Sequence, residues 1–267
     1  METTYLADLF GLAGRVALIT GAAGGLGEAI AGGLSRLGAS IVAADLDADA
    51  AANLANRLAG EGRQALAVGV DVADRASVEA AIQAAVDRFG SLDILVNCAA
   101  IAIPSAALEL SEENWQRLLE VNLKGTFFAC QAAGQIMVRQ HRGAIVNFAS
   151  TAAMFGQAKS LGYSVSKAGV VELTRTLAVE WGPYGVRVNA IAPGVFETPM
   201  HKFVRERNPA FFERFLKGTP LGRFGRPEEM VGVVAFLAGE ASAMITGQLF
   251  PVDGGFTAGG FSGVPEA

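Results

Sequence analysis

The sequence carries only two histidines and two cysteines among its 267 residues. His141 and His201 are too few for a histidine-rich metal site, and no Cys/His cluster stands at ligand spacing. Cys98 and Cys130 make no disulfide framework and fit a reducing compartment. The net charge of −5 is mild and no lysine- or arginine-rich run occurs, so the chain offers no basic footprint for nucleic acid. No uninterrupted apolar stretch is long enough to span a bilayer, so no membrane partner is expected. The opening METTYLADLF lacks the positive-then-apolar pattern of a signal peptide. These absences lead to an expectation of a soluble cytoplasmic protein acting on a small-molecule substrate.

What the chain does hold is apolar residues, at 51%, and 33 glycines, which point to many tight turns or close backbone approaches. Short apolar runs at 15–20, 40–45, 65–71, 92–97, 144–150 and 186–193 read as strands. They are β-branched and apolar on both faces, as in a parallel sheet covered by helices. Alanine- and leucine-rich segments at 25–37, 48–60, 75–89, 112–140 and 161–181 read as the intervening helices. This alternation predicts an α/β fold with one doubly wound parallel sheet and helices on both faces. No linker or composition shift divides residues 1–267, so one domain is expected. The interval 195–226 has phenylalanines and basic residues but no strand, and reads as a small helical lid over the sheet edge.

The run LITGAAGGLGEAI places Gly21, Gly25 and Gly27 between the first strand and the first helix. Glycines there let the backbone turn tightly and approach a pyrophosphate seated on the helix start. The competing reading is a turn that only brings helix and strand close together. Asp45 closes the second strand, where an acidic residue can hydrogen-bond the ribose hydroxyls of NAD and repel a 2′-phosphate. A plain surface aspartate would look the same. No Arg or Lys lies in the glycine loop or between Asp45 and Arg57, and that favours NAD over NADP.

In LGYSVSKAGVVELTR, Tyr163 and Lys167 stand one helical turn apart and share a helix face. Amphipathic side chains can simply lay their stems on a core. Alternatively, the ammonium favours the phenolate and lowers the tyrosine pKa, which makes the phenol an acid–base group.

TGxxxGxG at 20–27 with Ser150, Tyr163 and Lys167 resembles the short-chain dehydrogenase/reductase family. So do the DV pair at 71–72, Asn122 in VNLKG, APG at 192–194, Thr198 and VDGG at 252–255, all in family order. The resemblance covers residues 12 to 256 and implies a Rossmann-type sheet. Gly21, Asp45, Asn97, Ser150 and Pro193 all end expected strands, the edge where open α/β sheets bind ligands. By resemblance, Tyr163 exchanges a proton with the substrate oxygen while hydride moves to or from the nicotinamide. Lys167 holds the nicotinamide ribose, Ser150 bonds the substrate oxygen, and Asn122 anchors a water that connects Lys167 to solvent. An outward-facing asparagine is the alternative at position 122. Cofactor contacts are implied for Gly21, Gly25, Leu26, Gly27, Asp45, Asp71, Val72, Asn97, Ala99, Tyr163, Lys167, Pro193, Gly194, Val195 and Thr198.

One departure is NCAA at 97–100 where the family has Asn-Asn-Ala-Gly. Ala100 adopts positive φ less readily than glycine, so the backbone beside the cofactor is expected to shift slightly. Cys98 reads as a small buried hydrophobe rather than a nucleophile. The segment from Thr198 to Arg223 resembles sugar-alcohol and aldonate dehydrogenases, so the expected substrate is a small polyol, sugar or sugar acid. The alternatives are a 3-oxoacyl-thioester or hydroxysteroid reductase, and a catalytically silent NAD-binding protein. In the lid, Phe211, Phe212 and Phe215 have helical spacing and are expected to pack mainly in the core. His201, Lys202, Arg205 and Arg207 form either a solvated face or an inward grip on substrate. The apolar surface of the helices at 112–140 and 161–181 suggests pairing into a homotetramer or dimer.

Overall fold

The computed structural model describes residues 2–199, 201, 205–206 and 209–259. Its strands are β1 (Val16–Thr20), β2 (Ser40–Asp45), β3 (Ala65–Gly69), β4 (Ile94–Asn97), β5 (Gly143–Phe148), β6 (Val186–Pro193) and β7 (Leu249–Val252). They form one seven-stranded sheet in the order β3-β2-β1-β4-β5-β6-β7, every pair parallel. Among the described residues, the α-helices of eight residues or more are α1 (Glu2–Phe10), α2 (Gly25–Arg36), α3 (Ala48–Gly60), α4 (Arg75–Phe89), α5 (Glu112–Leu119), α6 (Gly125–Gln140), α7 (Leu161–Trp181), α8 (Pro209–Lys217) and α9 (Val231–Ala238). Among the described residues no helix is long and apolar enough to cross a membrane.

The apolar runs are continuous because both faces of the sheet are covered. Leu18, Val42, Leu95, Ile145 and Val188 face one way and pack with Ile82 of α4, Met137 of α6 and Leu177 of α7. Their neighbours Ile19, Ile41, Val96, Val146 and Ile191 face the other way, against Ile30 and Leu34 of α2, Leu58 of α3 and Val234 of α9. Side chains alternate along each strand, so the two clusters come from interleaved residues of the same runs.

Three features differ from the sequence-based expectation. The edge strand β7 was not anticipated; it holds Pro251 and has only four residues, so its pattern is weak. It matters because Gly194, at the end of β6, donates to Val252 O at 2.9 Å, and a Cβ there would meet Asp253 at 2.9 Å. The glycine lets the APG and VDGG segments abut. Second, the expected helix 112–140 is two helices joined by a π-helical turn, Glu120–Lys124, with Asn122 at its centre. Third, Ala100 does not take a positive φ, so its replacement of glycine brings no strain.

Candidate active site

The carboxyl ends of β1, β2, β4, β5 and β6 open into a cavity of about 770 Å³. Of the expected site residues, Gly21, Gly25, Leu26, Asp45, Asp71, Val72, Ala99, Ser150, Tyr163, Lys167, Pro193, Gly194, Val195 and Thr198 line it. Gly27, Asn97 and Asn122 do not. Gly27 sits in the first turn of α2, and its missing side chain leaves room for the Gly21 carbonyl.

One half of the cavity fits a dinucleotide. Gly21 turns with φ +66°, and a Cβ there would meet the Ala99 backbone at 2.9 Å. Helices α3, α4 and α5 start on side-chain caps from Asp47, Asp74 and Ser111. Helix α2 starts at Gly24 with no side-chain cap, so its first N–H groups remain available to an anion. Asp45 Oδ2 accepts from Ala23 N at 2.9 Å and Oδ1 from Asp47 N at 3.1 Å, which fixes the carboxylate beside the glycine turn. Leu46 follows it into the lining, and the next arginine, Arg57, is ion-paired with Glu28 at 2.7 Å.

The other half centres on Tyr163 at the start of α7. Its phenol neighbours Ser150, whose Oγ accepts from Ala152 N at 3.1 Å. Lys167 lies one turn on, only 2% exposed, and donates from Nζ to Phe148 O at 2.6 Å. Nζ is 5.8 Å from the centre of the Tyr163 ring. Burial lowers the Lys167 ammonium to a pKa of about 8. Burial also pushes the Tyr163 phenol above its usual 10; Ser150 offsets this in part and Cys98 adds to it. Desolvation dominates the direction of this shift, and Lys167 spends its short contact on a carbonyl. Cys98 lines the cavity with its thiol pushed up to about 12 by burial, so it stays protonated, in line with its reading as a hydrophobe.

Behind the cavity, Asn122 is wholly buried rather than outward-facing. Its Oδ1 accepts from Ile101 N at 2.8 Å, and its Nδ2 donates to Ile101 O at 2.9 Å and Ser166 Oγ at 3.1 Å. Asn97 donates from Nδ2 to Asn147 Oδ1 at 2.9 Å, which ties β4 to β5 beneath the site. Both therefore hold the cavity wall from behind.

The segment 195–226, where a lid was expected, differs in part from expectation. Phe212 and Phe215 are buried, and Phe215 stacks on Phe256 at 3.9 Å; the Phe211 side chain lies outside the described residues. His201 lines the cavity, but its Nδ1 lies 2.9 Å from Phe196 O, and burial lowers its pKa, so it is neutral at pH 7. Arg205 is exposed and lies over the Phe224 ring, while Lys202 and Arg207 fall outside the described residues. Among the described residues, the lysines and arginines that line the cavity besides Lys167 are Arg117, Lys159 and Arg214. No motif marks them in the sequence, because they sit on three separate elements.

Residues 21–257 match the family model described as enoyl-(acyl carrier protein) reductase. D-threitol dehydrogenase of Mycolicibacterium smegmatis is 46% identical over 93% of this chain and 95% of its own length. The 3-oxoacyl-[acyl-carrier-protein] reductase of Thermotoga maritima is 37% identical over 91% of this chain and 98% of its own length. Among solved structures, a gluconate 5-dehydrogenase from Burkholderia cenocepacia in complex with NADP and tartrate superposes with a TM-score of 0.91, at 38% identity, covering 95% of this chain and 99% of that one. With the parallel sheet and the Ser150, Tyr163 and Lys167 cluster, these likenesses show that the chain belongs to the short-chain dehydrogenase/reductase family, as an oxidoreductase acting on CH–OH groups.

Proposed function

We propose that the protein is an NAD(H)-dependent dehydrogenase that oxidises a secondary hydroxyl on a small polyol, sugar or sugar acid. The observation that carries this is the meeting of Ser150, Tyr163 and Lys167 in one cavity that also takes in Asp45 and the uncapped start of α2. The nicotinamide, when bound, accepts or supplies the hydride. Tyr163 holds the proton exchanged with the substrate oxygen, and Ser150 fixes that oxygen by a second hydrogen bond where charge develops. Lys167 supplies a buried ammonium for the nicotinamide ribose. The Asp45 carboxylate accepts from the adenosine ribose hydroxyls, and the segment 195–226 acts as the lid. Asn122 and Asn97 position the wall of the cavity. The threitol and gluconate relatives support a polyol or aldonate substrate. The acyl-carrier reductase relative supports the second reading, reduction of a 3-oxoacyl thioester. The two free cysteines suit a place in the cytoplasm.

The test is NADH formation across polyols, aldonates, hydroxysteroids and 3-hydroxyacyl thioesters, with NAD and NADP in parallel. Turnover of thioesters alone would replace the first reading by the second. Because one solved relative holds NADP, the cofactor reading rests on this chain's own Asp45, Leu46 and engaged Arg57. Asp45→Ala should weaken NAD by roughly 10–100-fold, the loss of hydrogen bonds to a charged group, and admit NADP. A wild-type preference for NADP would refute the assignment.

A homotetramer with twofold symmetry is the proposed assembly. Leu161, Val165 and Val179 of α7 are 44%, 40% and 79% exposed, an apolar face that a second copy would cover. A monomer mass by light scattering at micromolar concentration would contradict it.

A further inference from the structure

We propose that the substrate carries a negative charge away from the reacting carbinol, and that Arg117, Lys159 and Arg214 select it. The proposal rests on the dehydrogenase reading above and adds the substrate's charge to it.

The cavity is electrically divided. Among the described residues its only lining carboxylates are Asp45, which ends β2, and Asp71, which follows β3. The end of β2 lies three strand spacings from that of β5, about 14 Å across the sheet, beyond the ~8–10 Å over which salt screens exposed charges. Ile101, Ile103, Pro104 and Phe212 give the cavity an apolar lining, and the three cations, all exposed, line it as well. None of the three forms an ion pair among the described residues, although Arg15, Arg57, Arg142 and Arg223 all do. Three cations with no ion pair among the described residues thus line one opening.

The three cations reach it from independent elements. Arg117 precedes Leu118 of α5, which packs where a Gly162 side chain would be, next to Tyr163. Arg214 lies on α8 beside Phe215, which is stacked on Phe256. Glu213, its neighbour in sequence, does not line the cavity. Lys159 stands in the loop before α7 with φ +61°, one of two non-glycine residues with positive φ among those described. The Ser105 N–H donates to its carbonyl at 3.0 Å and holds the turn. Glycine or asparagine would suit that turn with less strain. A lysine kept there, lining the cavity, points to work done by its side chain.

An anion with an apolar or hydroxylated body and a terminal carboxylate matches this division. A neutral polyol would leave the three charges unused, and an uncharged steroid would use only the apolar lining.

The experiment compares gluconate, threonate and 3-hydroxybutyrate with their primary amides, which keep size and hydroxyls but lose the charge. Binding to the NADH-loaded enzyme is measured by calorimetry and turnover by NADH formation. For the acid that binds, affinity should exceed that of its amide by about 10-fold or more and fall with added salt. Arg117→Gln, Lys159→Asn and Arg214→Gln should each reduce the acid-to-amide ratio about 3–10-fold, through KM rather than kcat. Lys159→Asn keeps a residue tolerant of the left-handed turn, so loss of folding does not confound it, and Lys159→Arg should retain the ratio. Amides bound as well as acids, or ratios indifferent to all three replacements, would overturn the proposal. Failure of every alcohol to turn over would instead sink the dehydrogenase reading, while the binding ratios would still decide the matter of charge.

Discussion

Tyr163→Phe is expected to bind NADH as tightly as the wild type and to lose about 10²–10⁴-fold in kcat, the usual worth of a general acid–base group. That is about 3–5 kcal/mol of barrier for one oxygen atom. The phenol lines the cavity beside Ser150 and Lys167, where it can pass a proton to a carbonyl oxygen. The pH dependence follows from the direction of the Tyr163 shift. A phenol pushed above its ordinary value stays protonated at pH 7, ready to donate during ketone reduction. Oxidation of an alcohol needs the phenolate, so oxidative kcat/KM should climb with alkalinity while the reductive rate does not. The phenylalanine variant should lose that climb. Near-normal turnover in the variant, or identical pH profiles for both directions, would remove Tyr163 from its role.

Lys167→Met should abolish most activity and yet stabilise the fold at neutral pH. Lys167 is among the largest fully buried side chains, and burial takes its pKa from 10.5 to about 8. Below pH 8 both the folded and the unfolded chain hold this proton, and the folded state bears the whole cost of burying the ammonium. Between pH 8 and 10.5 the folded state gives up the proton first, so the unfolded state binds more protons and stability rises with pH. The full difference is about 3 kcal/mol at the rate for one pKa unit. Methionine removes that cost but leaves Phe148 O without its donor, which returns about 1–3 kcal/mol. The variant's advantage in Tm should therefore be present at pH 7, shrink through pH 8–10.5, and vanish or reverse above. Parallel curves for the two proteins across that range would show that Lys167 is not buried as a charge. Function is retained here at the expense of stability.

Much of this site was legible in residue order, for identifiable reasons. Tyr163 and Lys167 four apart, the glycines after Thr20 and Asp45 at a strand end are local patterns, and the alternation of apolar runs with helices brings them to one edge. What was not legible depends on burial and on distant convergence. The sign of the Tyr163 shift turned on desolvation, which no spacing encodes. The π-helical turn around Asn122 was not legible, because such a turn has no sequence signature that a periodicity count detects. Strand β7 was missed because four residues including Pro251 carry too little pattern. Arg117, Lys159 and Arg214 carry no sequence signal, because only the fold brings α5, the Ser105–Lys159 turn and α8 around one opening.

The Ile101–Asn122 pairing has a consequence for how the molecule breathes. Ile101 belongs to no strand or helix, yet its N–H ends on a wholly buried amide oxygen from the π-helical turn. Solvent deuterium reaches a typical loop N–H during small, frequent excursions. Here it must wait until the turn between α5 and α6 parts from the segment that leaves β4. The cavity wall and the helix junction thus open as one cooperative unit, and a single amide in irregular backbone exchanges on the timescale of packed helices rather than of loops.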